Sequence, residues 1–487
     1  GEPGEDRAAV KRYIFFPTGR ECWFDLAERL DREGVARPVL WLGDRRHDAR
    51  AATRFADAEI VDLHAIASRR RVPAAAYSGR WGNFWTDPAE RETREIAIKL
   101  MDRVDHFGRF GNVEREAVFD ALVFWAMDRI ERRAPDFLLM AESPHAAPQY
   151  VMMAVARHAG VPVLGFGAWP LAPVLTLRRD AYGPDLPLSP GLRASLGGFH
   201  ARAGAAIADY VARFEDPASY GFVPRYMLRQ AGRDPEAGRL AGVMRRVARA
   251  IAAEAQILLP GRHGAVIGRR RLRRALGAAS TDAPHGPYVY FPLHYEPERT
   301  TTPDGGAFTD QLRAIARLRA LLPRDHAICV KEHPSQFNPF MKGHLGRTPA
   351  FYDALRRIEG VHLLPPEASS AALLIGAAGV ATITGTVGLE AALLGKRTLV
   401  FGHPWFAGCP NTFAHAEAQT DIAEALRAPA EPRDAVAAWL AEKLAACGLP
   451  GCINPSNERY FARYYAENDF AALESEALAT AVTEALA

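Results

Sequence analysis

An α/β protein with two separate cores is the fold this sequence predicts, and three observations carry it. Short apolar runs alternate with helical periodicity along much of the chain, the pattern of parallel sheets covered by helices. A length of 487 residues is too great for one core, so two domains are expected. Three apolar runs in the C-terminal half also end abruptly in polar residues, as strands do at the ligand-binding edge of an open sheet.

The N-terminal half opens with Arg12-Tyr13-Ile14-Phe15-Phe16, a strand, followed by a turn and a helix from Trp23 to Leu30. Pro38 to Gly43 and Glu59 to Leu63 are the next strands. Residues 65–120 read as an insertion of helices and loops, with Arg69, Arg70, Arg71, Trp81 and Trp85. Phe137 to Ala141 returns to a strand, closed by Glu142-Ser143-Pro144-His145. A helix from Tyr150 to His158 and a strand from Val161 to Phe166 follow. The expected division is an N-terminal domain at 8–188, a helical connection at 189–283, a C-terminal domain at 284–450 and terminal helices at 451–487. Within the connection, Val243, Val247 and Ile251 recur at helical spacing.

The three polar strand ends come next. Tyr288 to Phe291 runs into Pro292-Leu293-His294-Tyr295-Glu296-Pro297-Glu298-Arg299-Thr300-Thr301. Ile328-Cys329-Val330 ends in Lys331-Glu332-His333-Pro334. Val380 to Ile383 leads into Thr384-Gly385-Thr386-Val387-Gly388 and a helical run, Leu389, Glu390, Ala392, Leu393, closed by Gly395. A tight turn opening a helix offers backbone N–H groups and a positive dipole end to an anion. Lys331 could neutralise a phosphate, and His333 could donate to one. Each run taken alone could be an ordinary turn.

Together these runs resemble the capsule and surface-polysaccharide synthesis family of glycosyltransferases, which includes bacterial transferases that use CMP-Kdo. The motifs are F-P-L-H-Y-E-P-E-R-T-T, V-K-E-H-P, I-T-G-T-V-G-L-E-A-A-L-L-G-K and V-F-G-H-P-W-F. The resemblance covers Tyr288 to Cys409 closely and reaches Glu142-Ser143-Pro144-His145 loosely. It implies a GT-B fold: two Rossmann-like domains facing each other across a cleft, with helical insertions and C-terminal helices that cross back to the first domain. It also implies that His333-Pro334 and the Thr384–Gly388 turn hold the donor nucleotide and its phosphate. Glu296-Pro297 stands where some relatives carry Gln-Pro, so donor preference does not transfer directly.

Composition sets bounds. Hydrophobic residues make up 48% and charged residues 24%, ordinary values for a globular protein. A formal charge of +3 argues against a nucleic-acid binder. Basic residues cluster at Arg245, Arg246, Arg269, Arg270, Arg271, Arg273 and Arg274, a solvated face or a contact for anionic headgroups or glycan. No apolar run is long enough to span a bilayer, and the start is polar and acidic rather than a signal peptide. Gly1 stands where Met would begin a chain, so the first residues read as a tag remnant or the whole as part of a longer protein. Five scattered cysteines form no disulfide framework or zinc pattern, which points to a cytoplasmic protein, with the cytoplasmic face of the inner membrane as a working place.

Glycosyl transfer needs a stabilised leaving nucleotide, an activated acceptor hydroxyl and a held transition state. The donor-side candidates are His294, Glu296, Lys331, His333, Thr384, Gly385, Thr386, Gly388 and Glu390. Glu142 is the first choice for acceptor activation, as base or nucleophile, with His145 beside it and Asp180 as a second carboxylate. No Asp-x-Asp metal motif stands at a strand end, so neither metal nor cofactor is expected. The expected partners are a nucleotide sugar, best guess CMP-linked, and a glycan or glycolipid acceptor, with peripheral contact to the inner membrane or to other assembly proteins. A UDP-sugar 2-epimerase and a non-catalytic nucleotide- or glycan-binding module are the alternatives.

Overall fold

The computed structural model describes residues 9–76, 79, 81–105, 110–216, 244, 248, 251–252, 255, 263–415, 422–467 and 469–487. Val243, Arg245, Arg246 and Val247 lie outside them. The chain forms two compact units. The first comprises Gly1–Met101, Asn112–Ala208 and Leu440–Ala487; the second comprises Asp102–Gly111 and Asp209–Trp439.

The strands of the first unit are β1 (Lys11–Phe16), β2 (Ala36–Gly43), β3 (Glu59–Asp62), β4 (Phe137–Met140), β5 (Val163–Ala168) and β6 (Val174–Arg179). Those of the second are β7 (Tyr288–Pro292), β8 (Ala327–Lys331), β9 (Val361–Leu364), β10 (Gly379–Thr382), β11 (Thr398–Val400) and β12 (Thr412–Ala414). The chain then returns to the first sheet as β13 (Leu449–Pro450).

The first sheet has the order β13-β6-β5-β4-β1-β2-β3. Its β5-β4-β1-β2-β3 part is parallel; β6 and β13 are antiparallel additions. The second sheet, β12-β11-β10-β7-β8-β9, is parallel throughout. Each therefore has a Rossmann-like order, reversing between its first and fourth strands: β1/β4 in one unit, β7/β10 in the other. The apolar runs are continuous because both faces are covered. Leu138, Leu139 and Met140 in β4, and Ile328, Cys329 and Val330 in β8, are fully buried.

Helix α1 (Glu21–Arg32) shows why the first unit needs the end of the chain. Among its buried residues, Cys22, Trp23, Leu26, Ala27 and Leu30 form one face at helical spacing. α2 (Pro88–Leu100), α3 (Asn112–Arg133) and α4 (Ala147–His158) pack together elsewhere in the unit. In the second unit α5 (His263–Ala279) packs against α7 (Pro349–Arg356), with α6 (Gln311–Leu321) between them in sequence. There α8 (Ser370–Gly376) and α9 (Val387–Leu393) flank β10 in sequence. The terminal helix α10 (Phe470–Leu486) packs on α1, and Leu478 and Val482 enter the same core as Trp23 and Trp41. No helix among the described residues is long and apolar enough to cross a membrane.

The return is pinned by a buried ion pair. Arg20, just ahead of α1, binds both oxygens of Glu474 on α10, with NH2 2.9 Å from Oε2. Arg20 also reaches the Cys452 carbonyl at 2.7 Å and Glu458 at 3.0 Å. Tyr465 and the Cys452 N–H both donate to Glu474, at 3.1 and 3.2 Å. The five cysteines are all free thiols. Removing one member of a buried pair leaves an uncompensated charge, usually at a cost of about 3–5 kcal/mol. Glu474→Ala is therefore expected to destabilise the first unit by about that amount in urea unfolding. A change below about 1 kcal/mol would show that the pair does not anchor the C-terminal return.

Candidate active site

In the second unit the polar ends of β7, β8 and β10 lie at the carboxyl edge of one parallel sheet. β7 is the shared neighbour, with β10 on one side and β8 on the other. His294 and the β10 turn meet across the β7/β10 reversal. His294 Nε2 lies 3.1 Å from the Thr382 hydroxyl and 3.5 Å from the Thr384 N–H. The Gly385 N–H donates to Thr382 Oγ1 at 3.1 Å. That hydroxyl then has its proton free to give to Nε2, which makes His294 a neutral ring with its N–H on Nδ1. Burial pushes the His294 pKa down to about 3, assisted by His333 and Arg347.

His333 follows β8 and caps the short helix Pro334–Phe337. Its Nδ1 accepts from the Ser335 N–H at 3.1 Å, which leaves the ring proton on Nε2. Burial, then the charges of Lys331 and Arg347, push its pKa down to about 4. Lys331 Nζ donates to Ser370 Oγ at 3.0 Å, at the start of α8. Burial lowers its pKa, while Glu332 and Glu367 oppose the shift. The edge thus carries two neutral imidazoles with defined donors and one ammonium group.

The structure reassigns several of the predicted residues. Glu296 is not a ligand-facing group. It is only 4% exposed; Oε1 accepts from Gln311 at 2.6 Å and Oε2 pairs with Arg347 at 2.9 Å. The Thr384 hydroxyl donates to the Thr300 carbonyl, and the Thr384 and Gly385 N–H groups are engaged as above, so these three donors are spent within the protein. A Cβ at Gly385 would stand 2.8 Å from Thr382 Oγ1, and one at Gly388 would stand 2.8 Å from Phe406. Both glycines are explained by close internal packing rather than by a ligand. Thr386 precedes α9 with no side-chain cap bond. Glu390 lies on α9 beside Tyr210, where burial and this carboxylate hold the phenol well above its usual pKa.

In the first unit Glu142 and His145 come together just beyond β4. His145 Nε2 lies 2.7 Å from Glu142 Oε2. The Gln149 side chain accepts from the N–H groups of His145 and Ala146 at 3.0 and 3.2 Å, which fixes the entry to α4. Asp180 does not join them. It follows the antiparallel β6, and its N–H bonds Val163, the residue paired with Leu138. Glu142 lies four residues beyond Leu138. The two carboxylates therefore sit at opposite edges, about 13 Å apart along the strands. Asp180 is instead clamped by Arg157, with Nε 2.6 Å from Oδ2. A pair bracketing one glycosidic bond needs about 5–9.5 Å, so Asp180 is withdrawn as the second carboxylate.

The sequence reading missed Thr382, Gln311, Gln336 and Arg347, which hold the edge together. Thr382 carries a weak signal, a polar residue ending an apolar strand. The other three have none, because their partners are distant in sequence. Among the described residues no group of three His, Cys, Asp or Glu side chains is placed to hold a metal ion.

A parallel sheet with Rossmann-like order carries its polar cluster at the switch point, the place where open α/β sheets bind ligands. Residues 279–439 match the model of the family described as capsule polysaccharide biosynthesis protein. That match spans β7 to β12, within the second unit. No curated protein matches the chain. Among solved structures it is similar to the KpsC beta Kdo 2,7 transferase of Thermosulfurimonas dismutans, at 13% identity over 64% of this chain and 79% of that one, with a TM-score of 0.25. The KpsC beta Kdo 2,4 transferase of the same organism gives 15% identity over 58% and 73%, with a TM-score of 0.25. The UDP-GlcNAc 2-epimerase of Neisseria meningitidis gives 10% over 98% and 99%, with a TM-score of 0.22.

The two imidazoles make stability depend on pH. Both are depressed in the fold and near 6.5 when unfolded, so protonation favours the unfolded chain. Their contribution is complete above about pH 6.5 and is lost as the pH falls toward 4 and then 3. Each costs at most about 1.4 kcal/mol per pH unit in that window. Urea unfolding between pH 7 and 4.5 should show a shallower decline for His333→Gln than for the unmutated protein. Parallel profiles would mean that His333 titrates normally in the fold.

Proposed function

We propose that the protein is a glycosyltransferase of capsule or lipopolysaccharide synthesis. It moves a sugar from a nucleotide donor to a glycan or glycolipid acceptor, and CMP-Kdo is the favoured donor. One observation carries this reading: His294, His333 and Lys331 gather at the carboxyl edge of the sheet that matches the capsule family. The donor choice follows the motif resemblance. A cytoplasmic site of action, where a nucleotide sugar is at hand, belongs to the same proposal.

On this reading the leaving phosphate takes its charge compensation from Lys331 and hydrogen bonds from the His333 Nε2–H and His294 Nδ1–H. These donors are fixed before the ligand arrives, so they need no reorganisation as charge develops. No divalent cation is required in this scheme. Glu142 takes the acceptor hydroxyl proton, and His145 orients its carboxylate. With Asp180 at the far edge, Glu142 acts with an imidazole rather than with a second carboxylate.

Two measurements test the proposal. In the first, CMP, UDP, GDP and dTDP are screened by thermal shift, and donor turnover is followed in excess EDTA with and without a glycan acceptor. CMP stabilisation and acceptor-dependent turnover in EDTA are expected. Turnover without acceptor points to an epimerase, nucleotide binding without turnover to a binding module, and loss of turnover restored by magnesium to a metal-dependent reaction. In the second, Glu142→Gln should keep nucleotide affinity and lower turnover by at least ~100-fold, the low end for removing a general base. Near-normal turnover would leave Glu142 as a helix-entry residue.

A further inference from the structure

We infer that Arg347 is a positioning residue that sets the ligand-facing geometry of both His294 and His333. It lies between the short helix Gly343–Leu345 and α7, and its side chain is 1% exposed. Its guanidinium spans the ends of two strands. NH2 donates to the His294 carbonyl at 2.9 Å, beyond β7. Nε donates to Glu332 Oε2 at 3.1 Å, beyond β8. NH1 pairs with Glu296 Oε2 at 2.9 Å and reaches the Gly346 carbonyl at 3.3 Å. The group also stacks over Phe351, with CZ 4.4 Å from the ring centroid.

Each carboxylate passes the restraint to a histidine. Glu332 Oε1 accepts from the His333 N–H at 2.8 Å. The Tyr352 hydroxyl donates to Glu332 Oε2 at 2.7 Å, so Glu332 cannot turn away. Burial and the Glu332 charge hold that phenol well above its ordinary pKa, so it remains a donor. Glu296 Oε1 holds Gln311, whose amide oxygen accepts from the His294 N–H at 2.8 Å and whose nitrogen donates to the His294 carbonyl at 3.2 Å. Gln336 closes the circuit, bonding the Glu296 N–H and carbonyl at 3.0 and 2.9 Å and the Gly343 carbonyl at 2.6 Å.

The fit is close. A Cβ on Gly346 would lie 2.3 Å from the Glu296 carbonyl carbon, so the segment carrying Arg347 can approach only through glycine there. A lysine could keep the charge but not the planar fork, which serves three acceptors on two loops. Two partners held by one fork cannot move independently. The imidazoles therefore behave as a coupled pair, and the positive charge beside them favours their neutral forms.

The inference rests on the reading of the two histidines as ligand groups, and the tests separate them. Ring-nitrogen NMR of the ligand-free protein reads positioning without any ligand. It should show His333 with its proton on Nε2 and His294 with its proton on Nδ1. In Arg347→Lys, folded by circular dichroism, both rings should lose their single tautomer. CMP titration reads the ligand role: Arg347→Lys and His333→Ala should each weaken binding roughly 10- to 100-fold, and the double variant should be far from additive. Unchanged tautomers in a folded Arg347→Lys protein overturn the positioning role. Unchanged CMP affinity in His333→Ala, with tautomers altered in Arg347→Lys, sinks the ligand reading alone. If Arg347→Lys does not fold, Tyr352→Phe carries the test by removing one bond from Glu332. It should broaden or mix the His333 tautomer signal, and an unaltered His333 signal overturns the relay.

Discussion

The grip of parallel neighbours on β7 is the constraint on which the candidate site depends. Val289 and Tyr290 pair with β10 on one side, and Tyr288 to Pro292 pair with β8 on the other. A parallel ladder leaves no freedom in where a strand's end falls relative to its neighbour's. The residues after β7, β8 and β10 must therefore emerge at one edge. Because the chain order reverses there, the connections on either side of β7 diverge and leave room between them. His294 occupies that place, held by Thr382 and Thr384 from one neighbour, by Arg347 from a loop and by Gln311 from the start of α6.

Burial gives the edge its chemical character. An imidazole removed from water prefers to be neutral, and a neutral imidazole has one donor and one acceptor. In each histidine the protein takes the acceptor: Thr382 and Thr384 at His294, Ser335 at His333. The donor is what remains for another partner. The cost of burying the cations nearby is offset by carboxylates that themselves face no ligand, Glu296 and Glu332. These two charges, conspicuous in the sequence, serve the site by holding Arg347. An anion arriving at this edge would reverse the balance and favour proton uptake by the same rings.

The first unit shows a comparable economy at its own reversal point. Glu142 and His145 stand beyond β4, and Arg20 stands beyond the adjacent β1. Arg20 is wholly occupied with Glu474, Glu458 and the Cys452 carbonyl. Its role is to hold the terminal segment against α1, so that Leu478 and Val482 complete a core that the N-terminal half leaves open. Chain closure and a strand-end carboxylate–imidazole pair are therefore built beside each other.

The sequence by itself determined the fold class, most strands of the first sheet and half of those of the second. β1, β2, β3, β4, β5, β7, β8 and β10 are apolar runs bounded by turns, because strands covered on both faces must be apolar throughout. It did not reveal β9, β11, β12 or β13, which are short, or β6, which pairs antiparallel on both sides and ends in two arginines. Its motifs located His294, Lys331 and His333, since a polar residue directly after a buried strand has only one edge to occupy. Tertiary structure alone decided the rest. It sent Asp180 to the far edge, because β6 runs antiparallel and sequence carries no strand direction. It turned Glu296 inward and recruited Arg347 from 51 residues further along the chain. A buried ion pair is a property of two loops packed together, and neither loop announces its partner in its own residues.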